Sequence, residues 1–149
     1  MELYPIGLSV EEARECILNC CAALDSECIA LEEADGRVLA EDLFAPESIP
    51  PFPRSPYDGY ALRAEDTRGA AKEHGVTLRV IEEVPAGCAP TKQVERGQAV
   101  KILTGAPIPQ GADLVVKFED TQFTAETVTI FAPGKSGENI VPVGEDIQE

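Results

Sequence analysis

One segment restricts the fold of this chain more than any other: residues 50–62, with the sequence P-P-F-P-R-S-P-Y-D-G-Y-A-L. It contains four prolines, and proline fixes φ and lacks the amide hydrogen that helices and central strands need. The segment is therefore predicted to be a stiff, extended loop. It ends in the turn dipeptide Asp58-Gly59, which leads into the strand-like Tyr60-Ala61-Leu62. Because loops on a rigid scaffold concentrate binding and catalytic groups, this loop is the first candidate site.

The part of the chain before this loop predicts mainly helix. Ser9 with Glu12 three residues later matches a capping box, and apolar residues follow at helical spacing as far as Leu24. We therefore predict a helix over Ser9–Leu24. The remaining expectations here are a short strand at Glu27–Glu33, a turn at Ala34-Asp35-Gly36, and either one or two helical turns or a strand at Arg37–Leu43.

The part of the chain after the loop predicts β structure. Short alternating runs are separated by turns that contain glycine and proline, which is typical of a small barrel or a curled sheet. A helical turn is expected at Thr67–His74 and a loop at Pro133–Gly137. The fold class is thus α+β, and the predicted strands are Gly59–Arg63, Val76–Val84, Gln98–Leu103, Asp113–Phe118 and Thr127–Phe131.

Composition excludes several classes of function. The chain has 149 residues, enough for one domain or two small ones, and 12 Lys+Arg against 27 Asp+Glu give a net charge of −15. Nucleic acids and anionic membranes are therefore not expected as partners, because phosphate binding depends on cationic side chains. No apolar run approaches membrane-spanning length and no secretory signal is seen, so a cytoplasmic location is expected. The five cysteines form no C-x-x-C pair, which favours ordinary reduced thiols over a metal site.

Two groups of residues could carry chemistry. Asp58 could accept hydrogen bonds, bind Mg²⁺ or steer a water, or it could simply cap its own turn. Ser55 could contact an anion or cap the loop. At the end of the third predicted strand, the N–H groups of Gly105 and Ala106 could form an anion-accepting nest beside the hydroxyl of Thr104, or this could be a plain strand-to-turn junction.

Other polar residues are expected to be structural. Tyr57 and Tyr60 are more typical of packing than of ligand binding. His74 has no partner cluster nearby in the sequence and is expected at the surface. Gly144-Glu145-Asp146 is expected to be a turn with solvated carboxylates.

The proline loop and two further motifs together resemble the N-terminal half of the MoeA family, the molybdopterin molybdenumtransferases, to which the gephyrin E-domain is similar. The other two motifs are K-I-L-T-G-A-P-I-P-Q-G-A-D at residues 101–113 and G-E-N-I-V-P-V-G-E-D at residues 137–146. They occur in the family's order and at comparable spacing over nearly the whole chain. One departure is Val141, where the family often has arginine.

The resemblance implies a domain arrangement and a reaction. Residues 1–45 plus 141–149 would belong to an elongated first domain with the N-terminal helix and a small sheet, and a β-rich, barrel-like domain at 46–140 would be inserted into it. The implied activity is insertion of molybdate into adenylylated molybdopterin, with release of AMP and dependence on Mg²⁺. The family's pterin-binding domain would follow this segment, so the 149 residues alone are expected to be inactive.

The resemblance also implies roles and partners. Asp58 and Thr104 match the family's functional aspartate and threonine, while Ser55, Gly59, Gly105 and Ala106 are the expected substrate-binding residues; no metal ligand is assigned. A homodimer is expected, with a molybdopterin-adenylylating protein acting upstream. Two other classes of function stay open: a non-enzymatic dimerisation or scaffold module, and a small hydrolase that uses Asp58 with Thr104.

Overall fold

The computed structural model describes residues 7–149. Contacts between Cα atoms divide the chain into two units, Met1–Leu43 and Phe44–Glu149. Each unit is described by itself below. None of the helices among the described residues has the length and apolar character needed to cross a membrane.

The first unit contains one α-helix, α1, which spans Val10–Cys20. The predicted capping box is confirmed: the Glu12 amide donates to the Ser9 hydroxyl at 3.2 Å and the Ser9 amide donates to the Glu12 carboxylate at 2.8 Å. The helix ends four residues before the predicted Leu24, because Cys21 is already extended with φ −94° and ψ 131°. None of residues 7–43 is buried.

Two expectations for the first unit are wrong. The predicted strand at Glu27–Glu33 is absent, and a 3₁₀ turn occupies Leu31–Glu33 instead. Arg37–Leu43 is neither helix nor strand. A strand needs a partner for its backbone groups, and residues 7–43 supply none, so the small sheet expected in this part of the chain does not form. The predicted turn is confirmed, with Gly36 at φ +74° and the Arg37 amide donating to the Ala34 carbonyl at 3.1 Å.

The second unit is built on one curled, mixed sheet of six strands, which confirms the α+β fold class. The five predicted strands are present with ends within one residue, and the structure adds a short strand that the sequence pattern did not predict. The sheet is open, forming a half-barrel whose strand order is β4-β1-β3-β2-β6-β5. Its only parallel pair is β2 with β3. The strands are β1 Gly59–Leu62, β2 Val76–Val84, β3 Gln98–Ile102, β4 Leu114–Lys117, β5 Thr121–Phe123 and β6 Thr127–Ile130.

Both faces of this sheet are covered by apolar side chains. Strand β1 shows the alternation: Tyr60 and Leu62 belong to one buried cluster and Ala61 to another. The first cluster also holds Leu78, Leu114, Val128 and Ile130, and the second holds Val84, Val100, Ile102 and Val115. Tyr60 packs edge-on against Phe118 with ring centroids 5.2 Å apart, so its predicted packing role is confirmed.

The loops of the second unit hold the ends of the sheet. As predicted, residues 50–58 contain neither helix nor regular strand. The helical turn expected at Thr67–His74 lies earlier, as a 3₁₀ turn over Ala64–Thr67, because Gly69 reverses the chain at φ +98°. The buried Thr67 hydroxyl fixes this turn: it donates to the Ala64 carbonyl at 2.7 Å and accepts the Gly134 amide at 3.0 Å.

The last residues of the chain pair with the start of the second unit. Backbone bridges join Ile49 to Ile147 and Arg54 to Val141. Within the residues described, the β-rich unit therefore runs from Phe44 to Glu149 without interruption. The division into residues 1–45 plus 141–149 and residues 46–140 stays a prediction.

Candidate functional site

The register of β1 with β3 determines where Asp58 and Thr104 lie. Strand β1 begins at Gly59 and β3 ends at Ile102, and these two residues are directly paired in an antiparallel ladder. The residue before β1 is Asp58, and Thr104 follows shortly after β3. The two positions therefore lie at the same edge of the sheet, although they are 46 residues apart in the sequence.

The side chains of these two residues are directly hydrogen-bonded. The Asp58 carboxylate oxygen Oδ1 accepts the Thr104 backbone N–H at 2.7 Å and the Thr104 hydroxyl at 2.8 Å. Both residues are exposed. The structure thus brings together the two residues that the sequence singled out, in an open position at the surface of the second unit.

The two donors of Thr104 change the chemistry of the carboxylate. The Thr104 amide, and next its hydroxyl, lower the pKa of Asp58, because both hydrogen bonds favour the ionised form. A carboxylate with a lowered pKa is a weaker base. Among the described residues, none donates to the second oxygen, Oδ2. The arrangement suits an ionised group that orients a ligand or a water through Oδ2 better than it suits a general base.

The buried side chain of Ser55 holds the loop by hydrogen bonds. It is fully buried, and its hydroxyl donates to the Tyr57 carbonyl at 2.5 Å and accepts the Tyr57 amide at 3.2 Å. Its own amide donates to the Ala106 carbonyl at 3.0 Å. The Ser55 hydroxyl therefore caps the loop and holds the backbone just before Asp58. A role of Ser55 in substrate binding stays a prediction.

The anion-accepting nest suggested for Gly105 and Ala106 is not formed. The Gly105 amide donates to the Ser55 carbonyl at 2.8 Å, and the Ala106 amide donates to the Leu103 carbonyl at 3.0 Å. The reason is the backbone of Gly105, which at φ +84° directs these amides to carbonyl partners. A role of the two residues in substrate binding stays a prediction.

Gly59 allows two backbones to approach closely beside the site. A Cβ atom at this position would lie 2.2 Å from the Val116 carbonyl oxygen, which no real side chain tolerates. Glycine is therefore required for β1 to pair with β4 next to Asp58. The Phe118 amide donates to the Asp58 carbonyl at 3.2 Å and completes this end of the ladder.

Lys117 is a neighbour of the site that the sequence analysis missed. It pairs with Gly59 across β1 and β4, and its ammonium nitrogen lies 4.0 Å from the centroid of the Tyr57 ring. Such a cation–π contact holds a positive charge beside the loop. No motif marks this lysine; only the register between β1 and β4 could have identified it. Tyr57 is 41% exposed and carries this contact instead of packing in a core.

The remaining polar candidates lie in exposed turns. The backbone amides of Gly144 and Asp146 donate to the carbonyls of Pro50 and Ile49, at 3.0 and 2.9 Å, in a turn with exposed carboxylates. His74 is exposed and closes a tight turn through paired backbone bonds with Ala71, both 2.9 Å long.

The described residues do not by themselves fit a Mg²⁺ site. Magnesium in proteins is usually held by carboxylates together with waters or substrate phosphates. Residues 7–149 contain no group of three or more His, Cys, Asp or Glu side chains that could hold a metal ion. Asp58 Oδ2 is the one open carboxylate oxygen at the Asp58–Thr104 pair.

Comparison with known proteins identifies the family. The family model described as the MoeA N-terminal region (domain I and II) matches residues 8–149. The chain therefore belongs to the MoeA family, of which this match covers the N-terminal region.

Individual relatives agree with this assignment. The chain is 43% identical over 141 residues to a molybdopterin molybdenumtransferase of Staphylococcus epidermidis, covering 95% of this chain and 34% of the relative. It is 41% identical over 139 residues to the protein of the same name from Staphylococcus aureus, covering 93% of this chain and 33% of the relative.

A solved structure is also similar. The molybdopterin biosynthesis moeA protein of Pyrococcus horikoshii superposes with a TM-score of 0.78 at 45% identity, over 84% of this chain and 33% of that structure. The chain thus spans about a third of the length of the relatives that it matches.

Proposed function

We propose that this chain is the N-terminal part of a cytoplasmic molybdopterin molybdenumtransferase, which inserts molybdate into adenylylated molybdopterin with release of AMP. The Asp58–Thr104 pair is the observation that carries the proposal. The two residues that match the family's functional aspartate and threonine are joined by two hydrogen bonds at an exposed edge of the sheet. We infer that Asp58 and Thr104 orient the substrate or a water, and that neither acts as a covalent nucleophile.

The open position of the pair supports a site that is completed by other parts of the whole protein. Asp58 and Thr104 are exposed, and Lys117 places one positive charge over the ring of Tyr57 in the same loop. Molybdate and an adenylylated pterin are anions, so their binding needs further cations. We propose that a pterin-binding domain supplies these cations. The dependence on Mg²⁺ that the resemblance implies stays a prediction. The 149 residues alone are accordingly expected to be inactive.

The test of this proposal is Asp58→Asn in the full-length protein. The substitution keeps the size and the turn-forming capacity of the side chain but removes its charge. Cofactor formation in a reconstituted assay should be lost, while the thermal melt stays close to that of the wild type. Glu95→Gln is the matched control, since Glu95 is also exposed but precedes β3, at the end of the strand opposite to Thr104. Wild-type yield from Asp58→Asn would reject the assigned role.

We further propose that the whole protein is a homodimer that shares its sites between subunits and receives its substrate from a molybdopterin-adenylylating protein. The support is the first unit, in which large apolar side chains are exposed: Val10 at 81%, Leu24 at 95% and Val38 at 93%. Surfaces of this kind usually pack against a partner. In this dimer, residues 1–45 and 141–149 would belong to one domain and residues 46–140 to the other, as the resemblance implies.

A complementation experiment tests the shared site. Two inactive full-length variants are mixed, one with Asp58→Asn and the other with a lesion in the pterin-binding domain. Mixed dimers should regain one intact site and part of the activity. If subunit exchange is demonstrated and no activity returns, the site lies within one chain.

The exposed apolar side chains also favour a second candidate, a dimerisation or scaffold module without catalysis. The Asp58→Asn assay separates the two functions. A scaffold would keep its self-association and would show no loss of cofactor formation, because its loops would be structural. The hydrolase alternative is disfavoured by the lowered pKa of Asp58, which weakens it as a base.

A further inference from the structure

A cleft in the second unit concentrates arginine side chains. It has a volume of about 620 Å³ and is lined by Arg63, Arg68 and Arg96, with Val76 and Leu78 as apolar lining. Arg63 and Arg68 flank the 3₁₀ turn Ala64–Thr67, and Arg96 lies in the loop before β3. Neither Asp58 nor Thr104 lines this cleft.

The carboxylates of the cleft are already engaged. Glu65 is shared by two arginines, at 3.1 Å from Arg63 and 3.3 Å from Arg68. The Asp66 carboxylate accepts the Gly97 amide at 2.8 Å. Arg96 forms no ion pair with any described residue. The cleft therefore holds three guanidinium groups against two carboxylates, in a chain whose net charge is −15.

We propose that this cleft binds a tetrahedral dianion, either a free oxyanion or the phosphate group of a small phosphomonoester. A guanidinium group has five N–H donors in a planar fork that matches the geometry of phosphate. Arg63 and Arg68 each make one contact to Glu65 shorter than 3.5 Å, which leaves most of their donors available. This site is independent of the transferase reaction proposed above.

Glu65 competes with the proposed ligand for the guanidinium groups of Arg63 and Arg68. It occupies the position between Arg63 and Arg68 that an incoming dianion would share, so binding requires the ligand to displace or join it. Removing the charge of Glu65 should therefore strengthen binding, which is the opposite of what loss of a structural ion pair would do. The neighbouring Arg79 offers a control, because it is an exposed arginine of β2 that lines a separate cleft.

The experiment is a titration of the 149-residue chain with inorganic phosphate, followed by amide chemical shifts. Shifts should be confined to residues 63–68, 76–78 and 96–97. Loss of a charge-assisted hydrogen bond predicts about tenfold weaker binding for Arg96→Gln. Glu65→Gln should bind several-fold more tightly, and Arg79→Gln should be unchanged. Thermal melts of all three variants check the fold.

A second arm distinguishes the two sources of the dianion. Phenyl phosphate binds more tightly than inorganic phosphate if the natural ligand is an organic phosphomonoester, because its ring can contact Val76 and Leu78. Equal binding identifies a free oxyanion, and acetate should cause no localised shifts. The proposal is overturned if Arg79→Gln weakens binding as much as Arg96→Gln, if Glu65→Gln weakens it, or if neither phosphate shifts the cleft residues.

Discussion

In residues 7–43 no side chain is buried, whereas in Phe44–Glu149 two apolar clusters lie on opposite faces of one sheet. The first unit depends on local interactions: its helix is set by the Ser9–Glu12 capping box, three residues apart. The second unit depends on contacts between distant residues, such as Asp58 with Thr104, 46 residues apart. A segment held only by local contacts needs a partner surface to become stable. A segment held by contacts between distant residues contains its own core.

Separating the two units tests this difference most directly. A helix of 11 residues is marginal in water, because helices shorter than about 12–15 residues rarely persist without tertiary packing. A peptide of residues 1–43 should therefore show little helical circular dichroism at micromolar concentration. A chain of residues 44–149 should keep a cooperative thermal transition.

The opposite outcome of this separation would be informative. A helical signal from the isolated peptide that does not depend on concentration would show that local interactions suffice. Loss of the cooperative transition from residues 44–149 would show that the sheet needs the first unit.

The second prediction compares one leucine from each unit. Leu62 is fully buried in β1, and truncating a buried leucine to alanine costs about 3 kcal/mol. Leu31 is 86% exposed, and Leu31→Ala should cost less than about 0.5 kcal/mol. Urea denaturation of the two variants of the 149-residue chain measures both values. A large loss from Leu31→Ala would mean that this leucine is covered in solution.

The difference between the units also explains what could be predicted from the sequence. The strands of the second unit alternate in polarity between glycine and proline turns, and Val76–Val84 is observed with the predicted bounds. The helix start was predictable because Ser9 and Glu12 are local signals. The strand expected at Glu27–Glu33 failed because alternation alone does not supply a partner strand.

The site was predictable to a similar degree. The types of Asp58 and Thr104, their positions beside turns and the resemblance identified them. Their hydrogen bonds depend on the register of β1 with β3, which single-sequence patterns do not contain. The same limit hid Lys117, whose place beside Tyr57 follows from the register of β1 with β4.

The third and smallest effect compares one carboxylate from each unit. The amide and the hydroxyl of Ser9 lower the pKa of Glu12, and those of Thr104 lower the pKa of Asp58. Ser9→Ala should therefore raise the pKa of Glu12 alone, and Thr104→Val should raise the pKa of Asp58 alone. Titration of the side-chain carboxyl carbons by NMR measures both, with each variant as the control for the other.

The same pKa shifts give these hydrogen bonds a pH dependence with a definite sign. A carboxyl group whose pKa is lower in the folded state stabilises the protein at pH values above its unfolded pKa, and this contribution disappears as the pH falls through the folded pKa. Thr104→Val should therefore be slightly less stable than the wild type at pH 7, and the difference in stability should shrink below pH values near the usual pKa of aspartate.

Heating should return the pKa of Glu12 to its usual value before that of Asp58, because the helix frays before the sheet opens. If the pKa values of Glu12 and Asp58 return to their usual values at the same temperature, the two units unfold together. The contrast between local and distant contacts then does not govern their stability.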